Sequence, residues 1–132
     1  MIRLFFSDQQ GEYFYALMGP YFASLDVAKE LERQVYNKPN THWYVATSGR
    51  SDVLGFASVH DTGKHYFIDN LYVPPDHRRR GIARNIIDHM CETFNDKPLK
   101  CIAVNPYALK LFADYGFVEV GVRGKYKRLE KH

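Results

Sequence analysis

Apolar positions along the chain change period several times, and each change marks an element. Ile2–Phe6 is an apolar run of strand length. Tyr13, Phe14, Leu17 and Met18 then recur at helical spacing. Ser7 followed by Gln10 has the form of a capping box, so a first helix is predicted to open there and to stop at Gly19-Pro20. Ala28, Leu31 and Val35 share one face of a second helix over Ser24–Tyr36, with Lys29, Glu30, Glu32 and Arg33 off that face. The turn Asn37-Lys38-Pro39-Asn40 follows. His42–Thr47 and Val53–His60 read as strands joined through Ser48–Asp52, and after Asp61-Thr62-Gly63 a longer strand covers about Lys64–Val73. The first half therefore closes in an antiparallel meander.

Helical spacing dominates the next stretch. Ile82, Ile86, Met90 and Phe94 recur every four residues and Ile87 widens the stripe, which predicts a helix over Ile82–Phe94. Leu99–Val104 is a short apolar strand. Asn105 is a good N-cap and Pro106 a good first helical residue, so a short helix runs on to Tyr115 and Gly116 ends it. Phe117–Val120 and Lys125–Leu129, either side of Gly121–Gly124, complete the chain as strands. The order β-α-α-β-β-β-α-β-α-β-β predicts an α/β fold built on a mixed sheet. An antiparallel meander leads into a right-handed parallel βαβ unit over Lys64–Val104, with helices on both faces.

A length of 132 residues predicts one domain spanning 1–132. The formal net charge of +3 is too small to call for nucleic acid, but it suits a polyanionic small ligand. Cys91 and Cys101 are expected as free thiols, and no Cys or His spacing suits a metal. The N-terminus lacks the form of a signal peptide, and no window approaches the roughly 20 apolar residues of a membrane span. The expectation is a cytoplasmic protein with no membrane partner.

The chemistry is concentrated in Leu71-Tyr72-Val73-Pro74-Pro75-Asp76-His77-Arg78-Arg79-Arg80-Gly81-Ile82-Ala83. A strand ends, a basic loop with a glycine follows, and a helix begins. The first N–H groups of a helix have no intrahelical acceptor, and the dipole adds partial positive charge, so the segment has the form of an anion site. Gly81 lets a ligand phosphate approach the backbone. Arg78, Arg79, Arg80 and Arg84 place positive charge where it opposes the helix dipole, a cost that a bound anion relieves. The same residues could instead form a solvated basic loop or a patch for nucleic acid. The small net charge and the lack of aromatic interleaving argue against the patch.

This stretch resembles the signature of the GCN5-related N-acetyltransferases, Arg/Gln-x-x-Gly-x-Gly/Ala after a strand ending Val-x-Pro. Here Val73-x-Pro75 precedes Arg78-x-x-Gly81-x-Ala83. A second family motif, Asn-x-x-Ala-x-x-Leu-Tyr-x-x-x-Gly-Phe, is matched by Asn105-x-x-Ala108-x-x-Leu111-Phe112-x-x-x-Gly116-Phe117. The resemblance is close from about Val53 onward; upstream, only the element order matches. It implies an acyl-CoA N-acyltransferase fold, acetyl-CoA as co-substrate with no metal, and an amine acceptor. It also implies that Leu71, Tyr72 and Val73 bond the pantetheine arm edge-on. Arg78, Arg79, Arg80, Gly81, Ile82, Ala83 and Arg84 would surround the pyrophosphate, and Asn105 and Phe112 would lie beside the cofactor. Homodimers are common in the resembled family, so a homodimer stays open.

The implied reaction is direct transfer of acetyl from thioester to amine. An alkyl ammonium has a pKa of about 10.4, so a base or water wire must take a proton. The Val73 N–H would serve as oxyanion donor by analogy. The leaving thiolate, of pKa about 8.5, should be protonated. The family's usual acid falls at Phe112, which cannot donate a proton; Tyr115 and Tyr107 are substitutes, with Tyr115 favoured because it lies three residues on along the helix. Solvent can also supply this proton. Asp69 has the strand parity of Leu71 and Val73, although a bulge would bring Asn70 round instead. Two positions where family members carry a catalytic Glu are Phe67 and Lys100 here, which leaves His60, His65 and Glu119 as outside candidates. The candidate catalytic set is therefore Tyr115, Asp69 and Asn105. Tyr13, Phe14, Tyr21, Trp43, Tyr44 and Tyr126 could line an aromatic acceptor pocket or fill the core. The expected activity is acetyl-CoA-dependent transfer to a primary amine. The alternatives are a catalytically silent CoA-binding module and a small nucleic-acid-binding domain.

Overall fold

A computed structural model describes all 132 residues. The strands are β1 (Ile2–Phe5), β2 (Thr41–Ser48), β3 (Asp52–Asp61), β4 (Tyr66–Tyr72), β5 (Leu99–Ala103), β6 (Val118–Arg123) and β7 (Tyr126–Lys131). They form one sheet in the order β1-β2-β3-β4-β5-β7-β6. Every neighbouring pair is antiparallel except β4–β5. The meander and the single parallel crossover read from the sequence are both present.

The helices are α1 (Glu12–Phe22), α2 (Leu25–Leu31), α3 (Ile82–Thr93) and α4 (Pro106–Asp114). Strand alternation sorts the apolar side chains between two cores. Trp43, Val45, Phe56 and Tyr72 join Phe14, Leu17, Met18 and Val27 of α1 and α2 on one face. Tyr44, Ala46, Ala57 and Val59 join Ile82, Ile86, Ile87 and Met90 of α3 and Leu111 and Phe112 of α4 on the other. Both faces are therefore covered, as the period of the sequence required.

Four local expectations are corrected. Ser7 and Gln10 do not cap α1. The Gln10 amide Nε2 donates to the Thr41 carbonyl at 2.8 Å, and the Ser7 N–H donates to His42 Nδ1 at 3.0 Å. The helix opens instead after Gly11, with no side-chain cap. Gly19-Pro20 does not stop it either, because a proline in the last turn removes only one bond and α1 continues to Phe22. Phe22 then packs edge-on against Trp43, 5.4 Å between ring centroids. Next, α2 ends at Leu31 rather than Tyr36, since Glu32 turns left-handed at φ +58°. The chain beyond it is held by Asn37, whose Oδ1 accepts from Trp43 Nε1 at 2.9 Å and whose Nδ2 donates to Gln10 Oε1 at 2.6 Å. Finally, β6 runs through Gly121, where its register shifts against β7, and the turn between the two strands is confined to Gly124 and Lys125.

Candidate active site

The site originates where the parallel pair comes apart. β4 pairs with β5 only over Tyr66–Ile68, opposite Leu99–Cys101. Immediately beyond, β4 bulges: Ser58 faces Asp69 but Phe56 faces Tyr72, so β4 carries one extra residue. Asn70 absorbs it at φ +56°, a left-handed conformation that asparagine tolerates better than most residues. The bulge also reverses the alternation. Tyr66 and Ile68 point into the α3/α4 core, whereas Tyr72 points into the α1/α2 core. Asp69 and Asn70 both face the α1/α2 side. Asp69 Oδ2 pairs with Arg33 Nη1 at 2.6 Å, and Asn70 Nδ2 donates to Ser58 Oγ at 2.9 Å. The bulge therefore does not exchange one residue for the other, as parity suggested, but presents both. With the strands parted, a cleft of about 880 Å³ opens at the C-terminal ends of β4 and β5, the position at which open α/β sheets receive ligands.

One wall of the cleft is an array of main-chain donors. The Val73 N–H meets no acceptor in the protein, and the Val73 carbonyl accepts from Arg78 Nε at 2.7 Å. A short turn over Pro75–His77 follows, then Arg79 at φ +65° and Gly81 at φ +76°, and then α3. The first helical bond at this end runs from the Asn85 N–H to the Gly81 carbonyl at 3.0 Å. The N–H groups of Arg79 through Arg84 are thus unbonded within the protein. A Cβ added at Gly81 would meet no atom within 4 Å, so the backbone there is open to a ligand. These features fit a pyrophosphate.

The arginines divide. The Arg78 guanidinium meets both oxygens of Glu30 at 2.6 Å and lies over the Tyr72 ring, 5.7 Å from its centroid. Arg84 pairs with Asp114 at 2.8 Å. Arg79 lines the cleft with no carboxylate partner, and Arg80 is exposed and outside the lining.

Of the residues singled out from the sequence, Asp69, Leu71, Tyr72, Val73, Arg78, Arg79, Gly81, Ile82, Ala83, Arg84, Asn105 and Phe112 line this one cleft. Tyr115 does not; its hydroxyl donates to the Arg84 carbonyl at 3.1 Å. Asn105 Oδ1 accepts the Ala108 N–H at 2.8 Å and so caps α4. Phe112 is buried and packs edge-on against Phe117 at 5.1 Å. His60, His65 and Glu119 all lie away from the cleft: His60 Nδ1 bonds Thr41 Oγ1, His65 closes a turn with Thr62, and Glu119 pairs with Lys127. Among the surplus aromatics, Phe14, Trp43 and Tyr44 are core and Tyr126 alone lines the cleft.

The opposite wall was not legible as a site. It consists of Glu30, Leu31, Glu32 and Arg33 from α2 and the residues after it, facing Arg123 and Tyr126 of the β6–β7 hairpin. Glu32 Oε1 meets Lys125 Nζ at 2.9 Å, tying the two elements across the cleft mouth. Lys125 and Tyr126 hold the Glu32 carboxyl below its ordinary range, and Glu32 in turn pushes the Tyr126 phenol up. The sequence signals for this wall were Tyr126, one of six aromatics that could equally fill the core, and the charged run around Glu30–Arg33, which reads equally well as a solvated helix face. Two buried polar atoms of cleft residues have no hydrogen-bond partner: Asn70 Oδ1 and His77 Nδ1. No group of three or more His, Cys, Asp or Glu side chains is placed to hold a metal ion, and no helix is long and apolar enough to cross a membrane.

Comparison with known proteins agrees with this geometry. An acyl-CoA N-acyltransferase from Pseudomonas aeruginosa superposes with a TM-score of 0.80 at 14% identity, over 100% of this chain and 99% of that one. Escherichia coli ElaA gives 0.78 at 12% identity, over 100% and 99%. The spermidine N-acetyltransferase from Vibrio cholerae, in complex with CoA and spermine, gives 0.72 at 16% identity, over 98% and 94%. At such identities the likeness speaks to fold alone. No curated protein matches the chain significantly in sequence. The profile described as the Acetyltransferase (GNAT) family matches residues 5–117, which takes in the bulged strand, the donor loop and α4. On that match, over a fold of the same kind, the chain belongs to the GNAT acetyltransferase family.

Proposed function

We propose that the protein transfers an acetyl group from acetyl-CoA to a primary amine. The observation that carries this reading is the set of unbonded main-chain donors, Val73, Arg79 and then Gly81 through Arg84, along one wall of a cleft between parted parallel strands. The pantetheine arm lies along Leu71–Val73, where β5 no longer pairs, and the pyrophosphate sits against the loop amides and Arg79. The amine comes from the side of α2 and the β6–β7 hairpin. Its nitrogen bonds the thioester carbon, the carbonyl oxygen takes up negative charge and receives the Val73 N–H, and the C–S bond then breaks. Asp69 is engaged by Arg33 and Tyr115 points at a main-chain carbonyl, so water takes the amine proton, and solvent or Tyr107, which lines the cleft, returns one to the thiolate of pKa about 8.5.

The test is thiol release from acetyl-CoA across a panel of amines, run beside thermal melting with and without acetyl-CoA. Stabilisation together with amine-dependent thiol release supports the proposal; absence of both refutes it. A second reading, cofactor binding without turnover, draws on Phe112 in place of a proton-donating tyrosine and on the Arg33–Asp69 pair. It predicts stabilisation with thiol release no faster than hydrolysis.

A further inference from the structure

We propose that the acceptor is a small amine carrying its own anionic group, amino-acid-like in class, held by Asn70 at the amine and by Arg123 at the anion. This rests on the reading of the cleft as an acetyl-transfer site. Asn70 is 9% exposed and lines the cleft. Its amide orientation is fixed by a short chain: Nδ2 donates to Ser58 Oγ at 2.9 Å, and Ser58 Oγ donates to the Asp69 carbonyl at 3.1 Å. Oδ1 is thereby left as an acceptor with no donor in the protein. A buried carbonyl oxygen without a donor is a costly arrangement, and the N–H of an acceptor amine relieves it. Asn70 directly precedes Leu71–Val73, so an amine held there faces the proposed thioester position.

Charge settles the rest of the molecule's character. Three carboxylates line the cleft, and all are committed: Glu30 to Arg78 at 2.6 Å, Glu32 to Lys125 at 2.9 Å and Asp69 to Arg33 at 2.6 Å. A polycationic acceptor would have to share these carboxylates with cations already in place. On the cationic side Arg84 is held by Asp114, and Arg79 lies in the loop assigned to pyrophosphate. Arg123 alone stands on the acceptor side with no carboxylate within ion-pair distance, paired across the hairpin with Tyr126. Its planar fork suits a carboxylate or phosphonate.

The experiment uses the full chain and compares kcat/KM for α-amino acids, their amides and spermidine. The expected result is a preference of about tenfold or more for the acids over their amides, on the scale of one charge-assisted pair. Arg123→Gln should abolish that preference, whereas Arg50→Gln, which removes the same charge outside the cleft, should keep it. Asn70→Gly retains the left-handed backbone while deleting the amide, and should raise KM for acids and amides alike without changing the melting shift given by acetyl-CoA. Spermidine turned over faster than the acids, an Arg123→Gln enzyme with an unchanged acid-to-amide ratio, or stabilisation by acetyl-CoA with no acid acetylated would each overturn the proposal. If acetyl-CoA neither stabilised the protein nor was consumed, the underlying reading would fail with it, and that outcome is recognisable by the missing melting shift.

Discussion

Gly81 and Gly49 make a matched pair from which the role of the donor loop can be isolated. Gly81 has φ +76° and Gly49 φ +67°, and an added Cβ meets no atom within 4 Å at either. Alanine at each position therefore costs only the strain of holding an L-residue in left-handed backbone, about 1–2 kcal/mol. For a chain of this length that corresponds to roughly 3–5 °C of melting temperature per kcal/mol. Without ligand, the two variants should melt at similar temperatures, each lowered by about 3–10 °C. With acetyl-CoA at about 100 times its dissociation constant, the wild type gains about 2.7 kcal/mol, on the order of 10 °C. Gly49→Ala should show the same rise, because its methyl sits in the β2–β3 hairpin. Gly81→Ala should lose most of it, because there the methyl stands between the loop amides and a phosphate. The assay is thermal unfolding of both variants with and without ligand. A full ligand shift in Gly81→Ala, or an equal loss in Gly49→Ala, would refute the placement of the pyrophosphate on this loop.

Three further outcomes are expected. Phe14 is fully buried among Phe5, Phe22 and Trp43, so Phe14→Ala should cost about 3–5 kcal/mol in denaturant unfolding, and a loss below about 1 kcal/mol would contradict that packing. Burial holds the imidazoles of His42, His60 and His65 below their ordinary 6.5, and His42 Nδ1 must stay unprotonated to accept the Ser7 N–H. The unfolded chain then binds protons first, so stability is complete above about pH 7.5 and declines as pH falls through about 6.5. Melting temperature should drop between about pH 7.5 and 5.5 and drop less in His42→Gln; a profile flat across that interval would count against the burial argument. Burial also pushes the Cys101 thiol up to about 12, so at about pH 8 a maleimide should modify Cys101 only after unfolding, as mass spectrometry of peptides would report.

The elements with strong periodicity and clean punctuation were readable in advance. α3 carries a four-residue apolar repeat, and α4 is bracketed by Asn105, Pro106 and Gly116; both were placed within a residue or so. The errors fell where a long-range bond outweighed a local signal. Ser7-x-x-Gln10 has the local form of a cap, but Thr41 and His42, brought near by β1–β2 pairing, claim those groups instead. Val35 kept a helical spacing that Glu32 had already broken. The donor loop was legible because its chemistry is contiguous in sequence. The acceptor wall was not, because Glu32 and Lys125 lie at opposite ends of the chain and meet only through the fold. The bulge at Asn70 was foreseeable as an option, but its effect, presenting Asp69 and Asn70 on one side, required the register of β3 against β4.

The division of the interior into two cores has a consequence for how such a protein can change. The donor loop is rooted through Ile82, Ala83 and Ile86 in the α3/α4 core, and the β6–β7 half of the acceptor wall rests on the same core through Leu129; the α2 half is rooted through Val27 and its neighbours in the α1/α2 core. The sheet separates them, so residues in one share few neighbours with residues in the other, and substitutions drawn one from each should add in their effects on stability. α1 can therefore drift, lengthen or be recombined without disturbing the loop amides, whereas α2 is bound to that loop through Glu30 and Arg78. A lineage built on this plan can reshape the α2 side of the acceptor wall at the cost of stability in one layer, as long as the tie between Glu30 and Arg78 is kept.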